Sequence, residues 1–536
     1  MKLAFTAIVG LLAFDALACS SCGGPSAGPP PAASPTPSTD AVSSSEPPSS
    51  TATPVRPTGT SVPAVSGPPG PCVAMEGRKQ FDVGDDKEYK TLAAVPWNRM
   101  GWGDAVRIFW RPQPYKEKIA IIGAGTAKAP LRICGVPGPK GELPIIDGEN
   151  ATTGKTASFY HPVHERRGVV TITTPRNDEK EKKPHHVVVE GLEIRNAGQP
   201  LKFTDSKGAS QEYFDNGACI FVERGEDITL RNNDVHHCAN GIFVASGGGE
   251  DVVSRRILIE GNYLHDNGST GNRKDRHHNA YTEALGIVYQ FNRFGPIREG
   301  SEGIQLKDRS TGNVVRYNWF EGGKRVLDLV EPEESEELAK KEAAFNRTYV
   351  YGNVIILGKD ASSRVVHYGG DNGDTNDYRK GTLYFYDNTV SISTSSKDQW
   401  NIALINLENA AETADVRNNV IYSSNDANVF WLFEAGTLKL GTNWATQSIK
   451  LARHQGAAKL EHVYGSEKTI LGAGPPGFVD EKAGDFCLAK SSPARGVAGE
   501  LAKLPNDLLP THQYKKHRGQ APRPAGSKDL GAIICD

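Results

Sequence analysis

One short pattern recurs through the middle of the chain at intervals of about 30 residues. The pattern is apolar-x-apolar-x-x-Asn-x-apolar, and successive copies are offset by 29, 30, 26, 35, 35 and 31 residues, with their asparagines at Asn233, Asn262, Asn292, Asn318, Asn353, Asn388 and Asn419. An earlier copy has Leu192 at the asparagine position. A period near 30 with three short strands predicts one turn of a parallel β-helix, because leucine-rich repeats are shorter and propeller blades are longer.

The recurring asparagine has a mechanical role in this interpretation. Its amide can bond the backbone at a tight bend and tolerates left-handed geometry there. Asparagines stacked at one position can also bond each other from turn to turn. We therefore expect an asparagine ladder inside the coil, with ligand binding by these residues as the alternative.

The length of the chain also favours a solenoid. It has 536 residues, more than one compact domain usually contains, but a solenoid can grow because each repeat contacts only its neighbours. We expect one all-β domain over residues 73–536, with a short N-terminal cap, regular rungs at about 187–435 and a C-terminal capping region at about 436–536. The net charge of -2 excludes a globally basic protein that binds nucleic acid.

The N-terminus has the pattern of an export signal. Residues 1–18 contain one lysine and an apolar run too short to span a bilayer, followed by small residues before Cys19. We expect a lipoprotein-like signal with Cys19 as the lipidated residue, and simple cleavage after Ala18 is the alternative. Residues 19–72 are rich in Pro, Ser and Thr and are expected to form a disordered tether. We thus expect a bacterial protein that is either secreted or held at the outer membrane or cell surface, contacting a membrane only through its anchor.

Segments near both ends of the domain carry a resemblance to a known superfamily. Brief strands such as GDAVRIFW, EKIAII and APLRICG are separated by Gly and Pro turns, and the phrases PGFVDEKAGDFCLAKSSPAR and DLGAI occur near the C-terminus. These segments resemble right-handed parallel β-helix proteins of the pectin-lyase-like superfamily, and specifically bacterial extracellular polysaccharide-degrading enzymes. Export permits disulfides, and the expected pairs are Cys72–Cys134, Cys219–Cys238 and Cys487–Cys535.

A second strand follows each asparagine turn and supplies the candidate site. Alternation along a strand points successive side chains to opposite faces. We expect one outward column to contain Phe243, Gln305 and Asp328, and the next to contain Ala245, Lys307 and Val330. The repeats around this face bring together an unusual number of ionisable or polar residues: His278, Tyr281, Glu283, Glu302, Gln305, Lys307, Arg309, Arg325, Asp328 and His367.

These residue types suit β-elimination in a uronic-acid polymer. That reaction needs a cation at the carboxylate, a base for the C5 proton and an acid for the leaving oxygen. Lys307, with its pKa depressed by other cations, is expected to be the base, Tyr281 the acid, and Arg325 or Arg309 the cation. The residues expected to bind the acidic polysaccharide are Arg309, Gln305, Asp328, His278 and His367.

The spacing of Glu302 and Lys307 resembles the E-x-x-x-x-K phrase of the chondroitinase-B and alginate-lyase type of β-helix lyase. That resemblance implies Ca²⁺ as a cofactor and Glu302 as a calcium ligand. The next rung of those enzymes ends in an arginine, where this chain has Val330 and Glu331.

Several alternatives remain open from the residues alone. Lys307 and Asp328 can form an ordinary surface ion pair. The chain can be a non-catalytic, glycan-binding or adhesive surface protein, or a glycoside hydrolase or C5-epimerase on the same face. In each case we expect a monomer that binds no nucleic acid.

Overall fold

The structure is a computed structural model that describes residues 65, 70–175, 183–358, 363–393, 401–424, 427–456 and 462–535. The chain divides into Met1–Arg56 and Pro57–Asp536, and all described residues belong to the second unit. The expected signal peptide, the lipidation site at Cys19 and most of the expected tether lie outside the described residues. Within the described ranges, no helix is long and apolar enough to cross a membrane.

Three long sheets form the body of the protein. From Ala218–Val222 to Thr469–Gly472, consecutive strands of the chain enter the three sheets in rotation, so that each sheet grows by one parallel strand per turn. The first sheet contains thirteen strands: Gln80–Val83, Ala105–Phe109, Leu131–Val136, His185–Glu190, Glu226–Arg231, Arg255–Glu260, Leu285–Gln290, Thr311–Arg316, Arg347–Tyr351, Gly381–Tyr386, Glu412–Arg417, Thr437–Leu440 and Val463–Tyr464.

The second and third sheets have the same construction, except that the edge strand Ser210–Glu212 of the second sheet pairs antiparallel with Lys202–Thr204. The second sheet contains fourteen strands, of which the first three in spatial order form its edge: Ser210–Glu212, Lys202–Thr204, Ala151–Thr153, Glu117–Ile121, Gly168–Ile172, Ala218–Val222, Asn240–Val244, Ala280–Thr282, Leu306–Asp308, Arg325–Leu329, Arg364–Tyr368, Ile402–Leu407, Val429–Glu434 and Lys450–Gly456. The third contains eleven: Ile145–Asp147, Glu193–Arg195, Asp234–His236, Tyr263–His265, Arg293–Phe294, Trp319–Glu321, Val354–Leu357, Thr389–Ile392, Val420–Ser423, Asn443–Thr446 and Thr469–Gly472. The predicted all-β parallel β-helix is therefore confirmed.

Helices and antiparallel pairs are minor features of the described chain. One short α-helix spans Glu336–Ala339, and 3₁₀ turns occur at Leu92–Ala94, Trp97–Arg99, Pro162–Arg166, Gly271–Arg273, Ser466–Lys468 and Asn506–Leu508. Two small antiparallel pairs lie near the C-terminus, Phe478–Asp480 with Asp485–Leu488 and His512–Lys515 with Gly519–Pro522. The rungs run from about 80 to about 472, further in both directions than the expected 187–435.

The interior of the coil is a continuous apolar stack. In the first sheet, Val189, Leu230 and Ile259 follow one another in register, and each is fully buried. Phe294 and Phe320 stack in the same way at the third sheet, with ring centroids 4.6 Å apart. Burying such side chains stabilises by roughly 1.5–3 kcal/mol each. The alternating pattern of the repeats therefore directs apolar residues inward and leaves the intervening positions facing outward.

The asparagine ladder lies at the corner between the first and third sheets. The side-chain amide of Asn318 donates to Asn353 Oδ1 at 3.0 Å, while its own oxygen accepts from the amide of Asn292 at 3.0 Å and from that residue's backbone N–H. The ladder is confirmed, and Asn443 extends it by one rung. Left-handed geometry is not a property of the ladder asparagines themselves. It falls on the residue before each of the seven repeat asparagines, and also on Gly191 before Leu192: Asn232, Gly261, Phe291, Tyr317, Gly352, Asp387 and Asn418.

The segment after the last rung runs along the side of the coil. Its contacts move back from Asn418, which is bonded to Gly531 and Gly499, to Tyr317, whose hydroxyl accepts from the backbone N–H of Thr511 at 2.9 Å. Trp319 packs against Phe486 and Tyr514 of this segment. The expected C-terminal cap is therefore a lateral strap over the ladder corner.

Three disulfides join Cys72 to Cys134, Cys219 to Cys238, and Cys487 to Cys535. All three expected pairings are present. They connect the N-terminal edge, two neighbouring rungs and the two ends of the strap. Such bonds form and persist in oxidising compartments, which is typical of exported proteins.

Candidate functional site

The candidate site is built on one outward column of the second sheet. The register pairs Phe243 with Tyr281, Tyr281 with Lys307, Lys307 with Asp328, and Asp328 with His367. The expected outward columns are therefore wrong by two residues, because Lys307 rather than Gln305 lies beside Asp328. Because the strand begins only at Leu306, Ile304 and Gln305 belong to the connection before it. A shift of two keeps Lys307 outward but gives it ionisable neighbours instead of Ala245 and Val330.

Gln305 does not face outward as expected. Its side chain is fully buried, accepts from the amide of Asn279 at 2.6 Å and donates to the backbone oxygens of Gly295 and Glu321. Asn279 is bonded in turn to Asn267 at 2.9 Å. Gln305 thus continues a second internal amide ladder and is not placed to bind a polysaccharide.

Lys307 is held between two carboxylates. Its ammonium group lies 3.2 Å from Asp328 Oδ2 and also contacts Asp371. Burial disfavours the charged form, but the attraction to Asp328 and Asp371 prevails over burial and the nearby Arg309 and raises the pKa of Lys307. The expected depressed pKa is wrong because the carboxylates, rather than other cations, dominate its surroundings. A lysine that stays protonated is poorly suited to be a base.

Asp328 is the centre of the charge network. Its side chain is fully buried and contacts Lys307, Arg325 at 3.1 Å and His367. Burial opposes ionisation, but the cations Lys307 and His367 hold the pKa of Asp328 well below its usual range. The expected Lys307–Asp328 pair is present, but it is buried and does not lie on the free surface.

Tyr281 and Arg309 form the other half of the site. Arg309 Nε donates to the phenolic oxygen of Tyr281 at 3.0 Å, and the Tyr281 hydroxyl donates to Glu333 Oε2 at 3.1 Å. Burial raises the pKa of Tyr281, although the neighbouring cations oppose this. Arg309 also pairs with Glu331 at 3.2 Å and with Asp371 at 2.8 Å. Tyr281 is therefore a neutral phenol hydrogen-bonded on both sides.

His367 extends the network towards the next rung. One ring nitrogen contacts Asp328, and Nε2 lies 2.8 Å from Glu408 Oε1. Arg325 approaches the same ring, 3.3 Å from its Nδ1. Burial disfavours a charged ring, but Asp328 and Glu408 outweigh it and raise the pKa of His367 to about 9. His367 is therefore a cation at neutral pH.

We call this group the ion-pair cluster. It brings cations, carboxylates and one phenol from five consecutive rungs together on the second sheet: Tyr281, Lys307, Arg309, Arg325, Asp328, Glu331, Glu333, His367, Asp371 and Glu408. The predicted residues Tyr281, Lys307, Arg309, Arg325, Asp328 and His367 all belong to it. Sequence reasoning missed Glu333, Asp371 and Glu408 as partners. The last two follow strands Arg364–Tyr368 and Ile402–Leu407, and no spacing in the sequence indicates that they reach this cluster.

His278 lies beside the cluster. Its ring packs edge-on against Tyr281 with centroids 5.8 Å apart, and its Nδ1 accepts from the backbone N–H of Ile304 at 3.1 Å. Burial, reinforced by the charge of Lys307, holds the pKa of His278 well below its usual range. His278 is therefore neutral and supports the connection before Leu306.

Glu302 is separated from the cluster by its own ion pairs. Its two carboxylate oxygens contact Lys274 and Lys324, and their hydrogen bonds lower the pKa of Glu302. Calcium binds six to eight oxygen ligands. A carboxylate neutralised by two ammonium groups does not supply such a set, so the residues around Glu302 do not fit the implied Ca²⁺.

Comparisons with known proteins concern the fold. Residues 190–390 match the family model described as a right-handed β-helix region. No curated protein matches the sequence. Similar solved structures include a pectate lyase, Pel9A, with 11% identity, 86% of this chain and 96% of that chain covered, and a TM-score of 0.43.

Two further structures show the same level of similarity. An alginate lyase from Paenibacillus has 12% identity, covers 71% of this chain and 99% of its own, and gives a TM-score of 0.33. The lacto-N-biosidase of Eubacterium ramulus has 12% identity, and the match covers 73% of this chain and 68% of that chain with a TM-score of 0.39. The family model and the three stacked sheets together identify the fold as a right-handed parallel β-helix.

Proposed function

We propose that this is a carbohydrate-active protein that binds an acidic polysaccharide over the ion-pair cluster and cleaves it by β-elimination. The observation that carries the proposal is the position of Tyr281. Its hydroxyl lies between the guanidinium of Arg309 and the carboxylate of Glu333, on a face that presents further cations. A neutral phenol beside a guanidinium is suited to give up a proton, because the guanidinium stabilises the phenolate that remains.

The solvent exposure of the side chains in the ion-pair cluster indicates which of them can contact the polymer. Among the carboxylates of the cluster, Glu333 has the most exposed side chain, at 42%, whereas Asp328 and Glu331 are fully buried. Among its cations, Arg325 is the most exposed, at 34%, against 11% for Lys307. We assign Arg325 to the uronic carboxylate and Glu333 to the C5 proton. Lys307 then keeps the buried carboxylates ionised and in place.

The proposed reaction is an elimination across C4 and C5 of the uronic acid. Glu333 takes the C5 proton, and the electrons of the broken C5–H bond form the C4=C5 double bond. The C4–O bond breaks, and its oxygen takes the proton of Tyr281. The products are an unsaturated uronic end and a new hydroxyl, with no water consumed. Arg325 neutralises the carboxylate that carries charge during this step.

A second candidate function is glycan binding without catalysis. The observation that favours it is the pairing of Lys307, Arg309, Arg325 and His367 with carboxylates within the cluster. A face with such satisfied charges can support a binding surface without performing chemistry. A single assay of the purified chain, which follows both binding and product formation, distinguishes the two functions.

The test uses the purified chain with alginate, pectate, chondroitin and glucuronan, following the ultraviolet absorbance of the unsaturated product. We expect absorbance to rise with at least one polymer. Tyr281→Phe should reduce kcat about 10²- to 10⁴-fold, the usual contribution of a positioned acid. Tyr464→Phe, at an exposed tyrosine of the first sheet, is the matched control and should be unaffected.

The other outcomes separate the alternatives. Reducing ends that appear without unsaturation would indicate hydrolysis. Binding of a polymer without any product would favour the second function. A fully active Tyr281→Phe variant would show that the assignment of the acid is wrong.

A further inference from the structure

A second group of ligand-type side chains lies on the outer face of the third sheet. Strands Asp234–His236 and Tyr263–His265 are neighbours in that sheet, with Asp234 beside Tyr263 and His236 beside His265 in register. Because residues two apart on a strand point to the same face, Asp234 and His236 project together next to His265. The ion-pair cluster belongs to the second sheet, so this group is separate from the proposed site.

The donor atoms of this group are already close to one another. One ligand atom from each of Asp234, His236 and His265 lies within 4.8 Å of the other two. His265 Nε2 is 2.9 Å from Asp234 Oδ1, and the rings of His236 and His265 stack with centroids 4.9 Å apart. Their side chains are partly exposed, from 12% for His236 to 27% for Asp234, so an ion can reach them from solvent.

The surroundings provide the supporting interactions that metal-binding histidines usually have. A histidine that binds a metal through one nitrogen commonly gives its other N–H to a carboxylate. His265 Nδ1 lies 2.6 Å from Asp266 Oδ2, which leaves Nε2 for the ion. Glu193 Oε1 lies 3.3 Å from His236 Nε2, so this carboxylate oxygen is close enough to be an additional ligand.

We propose that Asp234, His236 and His265 bind a divalent transition-metal ion, of which zinc is the test case. Two imidazoles and a carboxylate suit zinc and its first-row neighbours, whereas calcium selects oxygen ligands alone. Three protein ligands leave a fourth position for water or for Glu193. The ion would join two consecutive rungs of the third sheet, since His265 comes from the rung after Asp234 and His236.

The test is calorimetric titration of the full chain, freed of any histidine tag, with Zn²⁺ and separately with Ca²⁺. We expect one saturable zinc site per chain, no comparable calcium site, and a rise in unfolding temperature when zinc is added, because an ion that binds only the folded state stabilises it. Co²⁺ in place of Zn²⁺ should give the visible absorption of a low-symmetry site.

Variants locate the site. His265→Gln should weaken zinc binding by more than about 100-fold, since even outer-shell partners change metal affinity by 10–100-fold. If that variant does not fold, His236→Gln provides the same test. His185→Gln is the matched control, because His185 also adjoins a second histidine, His186, at 3.1 Å but lies on the first sheet. The proposal is overturned if zinc does not saturate at one site, if calcium binds equally well, or if His265→Gln and His185→Gln bind zinc alike.

Discussion

At the scale of single residues, the most unusual feature is a fully buried aspartate that gathers three cations. Asp328 contacts Lys307, Arg325 and His367. Lys307 also contacts Asp371, and His367 also contacts Glu408. A charge in this position is favourable only while its partners remain. The ion-pair cluster therefore behaves as one unit.

Asp328→Asn should destabilise the protein by about 3–5 kcal/mol, the usual cost of breaking a buried ion pair. The amide keeps the shape of the carboxylate but leaves Lys307 and His367 without its charge. Urea unfolding followed by circular dichroism measures the change. Glu302→Gln is the control, because it removes partly exposed ion pairs and should have little effect. Equal effects of the two substitutions would contradict the buried network.

His367 should make stability depend on pH. Its pKa is about 9 in the folded protein and about 6.5 when unfolded, so its contribution is fully present below pH 6.5 and is lost as the pH rises through 9. The pH-dependent part amounts to about 3 kcal/mol. Unfolding free energies of the wild type and His367→Gln, measured from pH 6 to pH 10, should converge by this amount. A difference that does not change with pH would contradict the shift.

At the scale of the structural element, the hydrogen bonds of the asparagine ladder explain why most rungs carry asparagine and why one rung carries Leu192 instead. Each asparagine oxygen accepts a backbone N–H from the equivalent residue of the preceding rung, as Asn233 does from Leu192. The residue equivalent to Leu192 in the rung before is Pro144, since the backbone N–H of Glu193 bonds to Pro144 O. Proline has no N–H to satisfy. Leucine is therefore sufficient at position 192.

Asn318→Ala should cost about 3 kcal/mol or more. The Asn318 side chain accepts a hydrogen bond from Asn292 and donates one to Asn353. Alanine would leave several buried groups unpaired, each at a cost of about 1–3 kcal/mol. Chemical unfolding measures the loss. Asn376→Ala is the matched control, because its side-chain amide donates to Asp374 within an exposed loop. A ladder substitution as mild as the control would show that the ladder is not structural.

At the scale of the whole molecule, the C-terminal strap ties distant rungs together. It packs over the ladder corner from Asn418 back to Tyr317, and Arg518 reaches the backbone of Asn233 at 3.4 Å. The Cys487–Cys535 bond joins two parts of this segment that are 48 positions apart in the sequence. This covalent link constrains the strap without adding a rung to the coil.

Replacing Cys487 and Cys535 together by alanine should lower stability by about 2–4 kcal/mol, the usual contribution of a disulfide that closes a loop of this size. Thermal unfolding of the double variant measures the loss.

Non-reducing peptide mapping should recover the three pairs described above. Alkylation of Cys219 in the denatured, unreduced chain would contradict the Cys219–Cys238 pairing.

The sequence alone determined the coil and its ladder, and it indicated the disulfide pairs that the structure contains. A repeated pattern of apolar residues dictates which side chains enter the core, and the spacing of the asparagines marks one turn each. Both signals are local and recur, so they survive without knowledge of the tertiary structure. The pairing of Cys219 with Cys238 also follows from neighbouring copies of one repeat.

Only the tertiary structure decided which side chains meet at the candidate site and in which charge state. A connection of variable length precedes Leu306, and it moved the register by two residues, turning Gln305 inward. Asp371 and Glu408 reach the cluster from segments that follow later strands, so no spacing in the sequence indicates them. Their carboxylates, with Asp328, reverse the expected pKa shift of Lys307, because burial and charge act through space and not along the chain.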